Sequence, residues 1–286
     1  MIGFHVSIAG GIYKSVENAR EIGCTAFQIF TRNPRRWAEK VLNEDDSDKF
    51  KAELKSSGIK PEAVVVHMPY LPNLSAPEGT FNEKSVNSLT SELRRASQLG
   101  IPNLVVHLGS HMGAGPEKGI ERLINSIGTA LDQFRTSRGR SSVTILLENS
   151  AGQKNSIGSK LEEISMIMDG LSSKYIAICI DTCHAFAAGY DLRTKHKVSI
   201  FVDKIKATMD LNKIRLVHLN DSKKSLGENV DRHEHIALGK IGNNGIAAIL
   251  QNKELKNRPI IMETPIDSIR TDKDNLAEAL KLSRSD

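Results

Sequence analysis

The 286-residue sequence contains little cysteine and no long apolar segment. Its three cysteines, Cys24, Cys179 and Cys183, form no Cys-x-x-Cys pair. An odd cysteine count without paired spacing argues against a disulfide framework and favours a reducing compartment. No apolar run reaches transmembrane length, and the first residues lack the charged and apolar regions of a secretory signal. We therefore expect a cytoplasmic protein without a membrane partner.

The sequence also lacks a strong excess of either basic or acidic residues. The net charge is +5 and the pI is near 9.0, which suits a polyanionic partner but is common in proteins that bind no nucleic acid. The apolar content of 39% and the charged content of 26% are ordinary for a globular protein. Because no low-complexity segment or linker-like change in composition interrupts the chain, we assign residues 1–286 to a single domain.

Short apolar runs, mostly of β-branched residues, alternate with helical patterns such as residues 84–99, 119–135 and 160–171. Runs of this kind are typical of strands buried on both faces. The predicted strands are residues 3–8, 26–31, 63–67, 103–109, 144–149, 176–181, 214–221 and 259–264. This alternation predicts an α/β fold, a closed (β/α)8 or TIM barrel. A doubly wound open sheet is the structural alternative.

Six of these strands run into a side chain that can ligate a metal. The six residues, 33 to 45 positions apart, are His67, His107, Glu148, Asp181, His218 and Glu263. A single one of them is more often an ordinary hydrogen-bonded residue, but His, Asp and Glu are poor strand residues and their repetition needs a common cause. In a parallel barrel these strand ends meet on the face that carries active sites. An open sheet would bring ligands together only near its switch point.

Two further pairs extend the ligand set. Asp181 and His184 lie three residues apart as a strand opens into its loop, and Asp231 and His233 alternate, so that they point the same way in an extended segment. Nine candidates exceed the roughly four to six ligands of one ion, so two or three ions are expected. Mixed imidazole and carboxylate ligands suit Zn²⁺ and tolerate Mn²⁺ or Fe²⁺.

Three other histidines are interpreted differently. His5 and His111 are expected to be partners of the ligands rather than ligands themselves. His235 is a less favoured ligand candidate, because it is offset from His233 by two residues.

Two segments near the strand ends could contact nucleic acid. The second strand leads into residues 31–37, where Arg35 and Arg36 precede the only tryptophan, Trp37. This pattern suits a nucleic-acid groove, and an ordinary charged loop is the alternative. Just past His67, Tyr70 and Leu71 could form a wedge that enters a base stack, or they could be loop-packing residues.

The chain resembles the endonuclease IV family of apurinic/apyrimidinic (AP) endonucleases. The resemblance runs from His5-Val-Ser-Ile-Ala-Gly-Gly11 to Glu263-Thr-Pro265. Its most specific stretches are Leu147-Glu-Asn-Ser-Ala-Gly-Gln153, Asp181-Thr-Cys-His-Ala-Phe-Ala-Ala-Gly-Tyr-Asp191, His218-Leu-Asn-Asp221 and Val230-Asp-Arg-His233. One departure is Lys154, which stands where the family usually has glycine and adds a positive charge near the site.

The resemblance implies a (β/α)8 barrel with three metal ions, normally zinc, with Mn²⁺ allowed at one of them. It implies DNA repair by cleavage of double-stranded DNA on the 5′ side of an abasic site, leaving a 3′-hydroxyl and a 5′-deoxyribose phosphate. A hydroxide held between two of the ions would attack phosphorus, with no separate side-chain nucleophile. We expect the enzyme to be a monomer.

The resemblance also implies a role for each site residue. One ion would be held by His67 and His107, with Glu148 bridging to a second ion that Asp181, His218 and Glu263 complete. The third ion would be held by His184, Asp231 and His233. Glu148 and Glu263 are the expected catalytic residues. Arg35, Tyr70 and Leu71 match positions that enter the DNA base stack.

Two rival functions remain at this stage. A metal-dependent sugar isomerase on a similar barrel would need a lysine or histidine near a two-metal site, and it has no use for nine ligands. A non-catalytic DNA-binding protein would use closed four-ligand zinc cages, often rich in cysteine, which this ligand set lacks.

Overall fold

A computed structural model describes residues 1–38, 41–136 and 142–284. Within these ranges, eight parallel strands close into a barrel, which confirms the predicted α/β fold. Neighbours along the chain are neighbours in the barrel, and the last strand pairs with the first through Ile260 and Ile2. The barrel strands are β1 (Ile2–His5), β2 (Ala26–Ile29), β3 (Val64–His67), β4 (Asn103–His107), β5 (Thr144–Glu148), β6 (Ile176–Asp181), β7 (Ile214–His218) and β10 (Ile260–Met262). Two short strands, β8 (Asp221–Ser222) and β9 (His233–Glu234), form a separate antiparallel pair.

Helices connect the strands around the outside of the barrel. Those in the described ranges are α1 (Lys14–Ile22), α2 (Glu44–Ser57), α3 (Thr80–Leu99), α4 (Pro116–Thr136), α5 (Leu161–Leu171), α6 (Thr182–Ala187), α7 (Lys195–Thr208), α8 (Gly242–Gln251) and α9 (Asp272–Leu282), with 3₁₀ turns at Pro61–Ala63 and Leu211–Lys213. Gly58 and Gly100 end α2 and α3 with φ of +74° and +73°, a conformation that glycine adopts without steric cost. Among the helices in the described ranges, none combines the length and apolar character needed to span a membrane.

The barrel strands are buried on both faces. Every residue of β2, β3, β5 and β6 is buried, including the polar side chains that these strands carry. This is the expected state of a parallel barrel, whose interior is packed with side chains and whose outside is covered by helices. A polar group in such a strand must find its hydrogen-bond partners inside the protein.

Six strands end one to three residues earlier than the sequence predicts, among them β2, β4 and β5, which end at Ile29, His107 and Glu148 instead of residues 31, 109 and 149. β1 ends at His5 instead of residue 8, β7 at His218 instead of 221, and β10 at Met262 instead of 264. Just past β7 and β10 the backbone leaves the parallel ladder and donates to side chains. The N–H of Glu263, for example, donates to Asn220 Oδ1 at 2.8 Å. The apolar pattern continues across these residues and therefore cannot show where the ladder stops.

Candidate metal centre

The structure brings all nine predicted ligands together at the carboxyl end of the barrel, in three groups. In the first, His67, His107 and Glu148 close the adjacent strands β3, β4 and β5, and their ligand atoms lie within 4.8 Å of one another. Glu148 Oε2 is 3.4 Å from His67 Nε2 and 3.3 Å from His107 Nε2. His67 and Glu148 are buried, whereas the His107 side chain is 46% exposed and borders the opening.

The second group shares Glu148 with the first and adds Asp181, His218 and Glu263, again with ligand atoms within 4.8 Å. His218 Nδ1 lies 2.9 Å from Glu148 Oε1, 3.6 Å from Glu263 Oε2 and 3.9 Å from Asp181 Oδ2. Three carboxylates therefore face one ring nitrogen. Glu148 offers one oxygen to each group and is placed to link them.

The third group comprises His184, Asp231 and His233. His184 lies in the short helix α6, directly after β6, while Asp231 and His233 come from the segment that leads into β9. Asp231 Oδ2 is 3.3 Å from His184 Nε2, and Asp231 Oδ1 is 3.2 Å from His233 Nε2. This group adjoins the second, since His233 Nε2 is 3.8 Å from Asp181 Oδ2.

The segment that carries Asp231 and His233 is fixed by a buried carboxylate. Asp221 accepts hydrogen bonds from the backbone N–H groups of Ser222, Gly239 and Ile241 at 2.8, 3.0 and 2.9 Å. The Asp221 side chain thus joins the two ends of the segment 221–242, which lies outside the barrel ladder. These hydrogen bonds help to position the third group, because Asp231 and His233 both lie within this segment.

Most of the histidines have their outward ring nitrogen hydrogen-bonded, which leaves the other nitrogen facing the cluster. The acceptors are main-chain carbonyl oxygens for His67, His184 and His233, at 2.7, 2.8 and 2.9 Å. A carbonyl oxygen only accepts, so the bonded nitrogen carries the hydrogen, and Nε2 is the nitrogen that can offer a lone pair to a cation. Metal-binding histidines are typically oriented in this way.

Two buried atoms in the cluster have no hydrogen-bond partner within the described part of the chain: Glu148 Oε2 and His233 Nε2. Buried polar atoms are rarely left unsatisfied, because desolvation without a partner costs roughly 1–3 kcal/mol. Both atoms face other ligand candidates that are close but outside hydrogen-bonding geometry. The donor set, four carboxylates and five imidazoles, therefore fits divalent cations shared between these atoms.

The charged groups shift one another's pKa values. Burial opposes the charged form of Glu148, but the His107 and His218 rings hold the pKa of that carboxyl well below its usual value. Burial likewise disfavours protonated His184, yet Asp181 helps to raise the pKa of His184 well above its usual value. The carboxylates thus draw positive charge into a site with little solvent, and divalent cations would supply that charge.

Cysteine contributes little to this centre. Cys179 and Cys183 both lie near ligand atoms, but burial raises the pKa of Cys179 to about 12 and that of Cys183 further still. A thiol that keeps its proton is a poor ligand. Cys183 is fully buried, as is typical of a small packing residue.

Several residues around the ligands were not predicted from the sequence. Asn149 brackets Asp181, donating to its carbonyl oxygen at 3.0 Å and accepting from its N–H at 2.7 Å. Asn220 donates to the Asp181 carboxylate at 2.6 Å. Gln28, in a strand that supplies no ligand, contacts His5, His218 and Glu263. The sequence signal that could have identified these three residues is a polar side chain within or just after a buried strand.

The other histidines have separate roles. His5 lies 3.6 Å from Glu263, as expected of a partner to a ligand. His111 instead accepts two backbone hydrogen bonds in its own loop. His235 contacts Asp267 and Asn275, both at 2.9 Å, and belongs to none of the three groups.

A cavity of about 290 Å³ opens beside the cluster, and Tyr70, Leu71, His107 and Gln153 are among its lining residues. The Tyr70 side chain is 58% exposed, with its ring 6.0 Å from those of His67 and His107. Leu71 is half-buried. The candidate wedge therefore stands at the rim of the metal centre.

Arg35 is exposed, and the segment that carries it is held by hydrogen bonds to α3. Buried Arg32 donates to Glu92 at 2.7 Å and to Ser88 at 2.6 Å, and it also reaches the carbonyl oxygens of Arg36 and Trp37. The Glu92 carboxylate is fully buried and also accepts from the Thr31 hydroxyl. Arg95 bonds the Thr31 hydroxyl and carbonyl oxygen. This network fixes the backbone beneath Arg35.

The loop with the unusual Lys154 is ordered by local turns. Ser156 N–H donates to the Gln153 carbonyl at 2.8 Å, and the Asn155 carbonyl accepts from His111 N–H at 2.9 Å. Asn155 adopts φ of +63°, a conformation that asparagine tolerates better than most residues. The Lys154 side chain itself is exposed.

Comparison with known proteins identifies the family. A family model described as "Xylose isomerase-like TIM barrel" matches residues 16–285. The chain is 49% identical to "Probable endonuclease 4" of Methanoculleus marisnigri over 284 residues, which is 99% of each chain. The chain belongs to the endonuclease IV family. Another "Probable endonuclease 4", of Cenarchaeum symbiosum, is 46% identical and covers 99% of both chains.

One solved structure supports the same family membership, and another shares the fold. The endonuclease IV of Thermus thermophilus matches with a TM-score of 0.86 and 36% identity over 98% of both chains. A "D-tagatose 3-epimerase-like protein" matches with a TM-score of 0.71, covering 99% of this chain and 97% of its own. Its identity of 19% shows a shared fold only.

Proposed function

We propose that the protein is a DNA-repair endonuclease that hydrolyses the phosphodiester 5′ to an abasic site in double-stranded DNA. The products would be a 3′-hydroxyl and a 5′-deoxyribose phosphate. Membership in the endonuclease IV family supports this function. The observation that carries it is the meeting of three adjoining ligand groups at the mouth of one barrel. The single domain, the monomeric state and the cytoplasmic setting stay predictions.

The three groups would hold three divalent ions, zinc in the first instance, with Mn²⁺ allowed at one of them. The first ion would take His67, His107 and Glu148; the second Glu148, Asp181, His218 and Glu263; the third His184, Asp231 and His233. Bound ions of this kind neutralise anionic phosphate oxygens and lower the pKa of a bound water towards about 7.

Two carboxylates are placed for catalysis. Glu148 is buried and extends one oxygen to each of two groups, so that it fixes their spacing. The Glu263 side chain is 18% exposed and borders the open centre. We assign to Glu263 the orientation of the attacking water and the acceptance of its proton. Neither role requires a nucleophilic side chain.

The rim residues would select the damaged nucleotide. Tyr70 and Leu71 would fill the gap in the base stack, and Arg35 would contact the same region of the duplex. An abasic nucleotide has no base to unstack, so its extrusion costs less than that of an intact nucleotide. The cavity of about 290 Å³ beside the cluster would receive its sugar.

The sugar-isomerase alternative is weaker. The epimerase-like structure shares the fold alone, and three ligand groups exceed the two-metal site that an isomerase needs. A non-catalytic zinc protein is also disfavoured, because the groups border an opening instead of forming closed cages.

The test is incubation of the zinc-loaded protein with a duplex that carries one synthetic abasic site, beside the same duplex without the lesion. We expect one cut 5′ to the lesion, a 3′ end that a polymerase extends, and loss of cutting after prolonged chelation. Equal cutting of both duplexes, or none with full metal occupancy, would refute the proposed function.

A further inference from the structure

Gln28 is a fully buried amide in β2, a strand that supplies no candidate ligand. Its side chain points into the metal centre and makes three contacts there. The amide nitrogen lies 2.7 Å from Glu263 Oε1 and 3.0 Å from His5 Nδ1. The amide oxygen lies 2.9 Å from His218 Nε2. One side chain therefore joins two candidate ligands of the second group.

These contacts fix which way the amide faces. An ionised carboxylate accepts hydrogen bonds and cannot donate them, so the amide nitrogen of Gln28 must be the atom beside Glu263. The amide oxygen then faces His218 and can only accept. It follows that His218 carries a hydrogen on Nε2.

The hydrogen on Nε2 determines what the other ring nitrogen of His218 can do. In the neutral ring, Nδ1 presents a lone pair, and this atom lies 2.9 Å from Glu148 Oε1 and 3.6 Å from Glu263 Oε2. Because Nδ1 faces carboxylate oxygens, it must carry either a proton or a metal cation. A bound divalent ion would take the place of that proton. Gln28 thereby selects the His218 tautomer that can bind a metal.

His67, His184 and His233 are oriented in the same way, but by main-chain carbonyl oxygens. A substitution cannot remove those acceptors. Of the four acceptors, Gln28 alone is a side chain, so its contribution can be measured separately.

We propose that Gln28 is a positioning residue of the second metal group: it holds His218 in the tautomer with hydrogen on Nε2 and orients the Glu263 carboxylate. This inference rests on the proposed metal centre. It predicts that loss of the amide weakens one ion of three and leaves the other two in place.

The test variant is Gln28→Met, which keeps the approximate volume but cannot make either hydrogen bond. Zinc would be counted by elemental analysis after dialysis against graded chelator, beside long-range ¹H–¹⁵N spectra of the histidine rings. We expect parental protein to keep three ions, and Gln28→Met to release one with about 10- to 100-fold lower affinity. Gln28→Asn should lose the same ion as Gln28→Met, because its side chain is one methylene shorter and cannot reach both Glu263 and His218.

Gln98→Met is the matched control. Gln98 also donates two hydrogen bonds, to the Leu42 carbonyl and the Ser47 hydroxyl, but neither partner belongs to the metal centre. This variant should keep the parental zinc count and the parental histidine spectra.

Three ions held with parental resistance to chelator in Gln28→Met would overturn the inference. The inference would also be overturned if His218 of the zinc-loaded parental protein carried its hydrogen on Nδ1. This measurement does not depend on the folding of any variant. A parent that binds no divalent ion would refute the proposed function instead, which separates the two failures.

Discussion

Glu263 is the residue on which the proposed chemistry depends most. Its backbone is held by Asn220 and its carboxylate by Gln28, so the side chain is positioned before any substrate binds. The substitution Glu263→Gln keeps the size but removes the charge and the ability to accept a proton. We expect cleavage to slow by at least about 10²-fold, the usual effect of losing a general base.

Binding should survive in Glu263→Gln, because Arg35, Tyr70 and Leu71 are untouched. Single-turnover cleavage, a binding titration on abasic duplex and a metal count distinguish the outcomes. Near-parental cleavage with full metal occupancy would remove Glu263 from the mechanism. Joint loss of metal and DNA binding would make it a structural ligand.

Tyr70 and Leu71 test recognition separately from chemistry. Neither belongs to a ligand group, and Tyr70 is largely exposed. Tyr70→Ala should weaken binding to abasic duplex about 5- to 150-fold, as expected for about 1–3 kcal/mol of lost aromatic stacking. Leu71→Ala should also weaken binding, because it removes an apolar side chain from the wedge. Metal content should stay parental. Met112→Ala is a control, since Met112 is equally exposed at 58% but does not line the cavity. Parental affinity in both test variants would show that the wedge assignment is wrong.

At the scale of elements, the second βα loop depends on α3. Glu92 of α3 neutralises buried Arg32, and Arg32 in turn holds the backbone next to Arg35. Burial raises the pKa of Glu92, while the hydrogen bonds from Thr31 and Arg32 favour its ionised form. The loop is therefore supported by a buried charge pair between Arg32 and α3.

We expect Glu92→Gln to lower the free energy of unfolding by about 3 kcal/mol, because it removes the negative charge from the buried ion pair with Arg32. Affinity for abasic duplex should also fall, with the zinc count unchanged. Denaturant unfolding, a DNA titration and elemental analysis measure the three effects. Glu83→Gln on the exposed side of the same helix is the control. Unchanged affinity in a destabilised Glu92→Gln protein would show that the network stabilises the fold alone.

The elements also show what the sequence could predict. The barrel and all eight strands were predictable, because buried parallel strands leave continuous apolar runs. Six of the nine clustered residues were predictable because parallel strands deliver their last residues to one face. His184, Asp231 and His233 were predictable only from their spacing in the segments that follow the strands. Gln28 was not predicted, since an amide within a short strand has no periodic signal. The Arg32–Glu92 pairing was not predicted either, because it joins residues 60 positions apart that meet only through tertiary packing.

For the whole molecule, we expect phosphate contacts to dominate the binding of DNA, although the net charge is only +5. Affinity for abasic duplex should fall steeply as salt rises, because each neutralised phosphate releases counterions. Titrations at several salt concentrations give the slope. An affinity that does not change with salt would contradict phosphate contacts on this face.

The central claim is that nine side chains from one barrel hold three divalent ions. Elemental analysis of the purified protein, after removal of loosely bound metal, tests it most directly. We expect close to three ions per chain, mostly zinc, and slow loss under strong chelation because most of the ligands are buried. One ion per chain, or none, would contradict it.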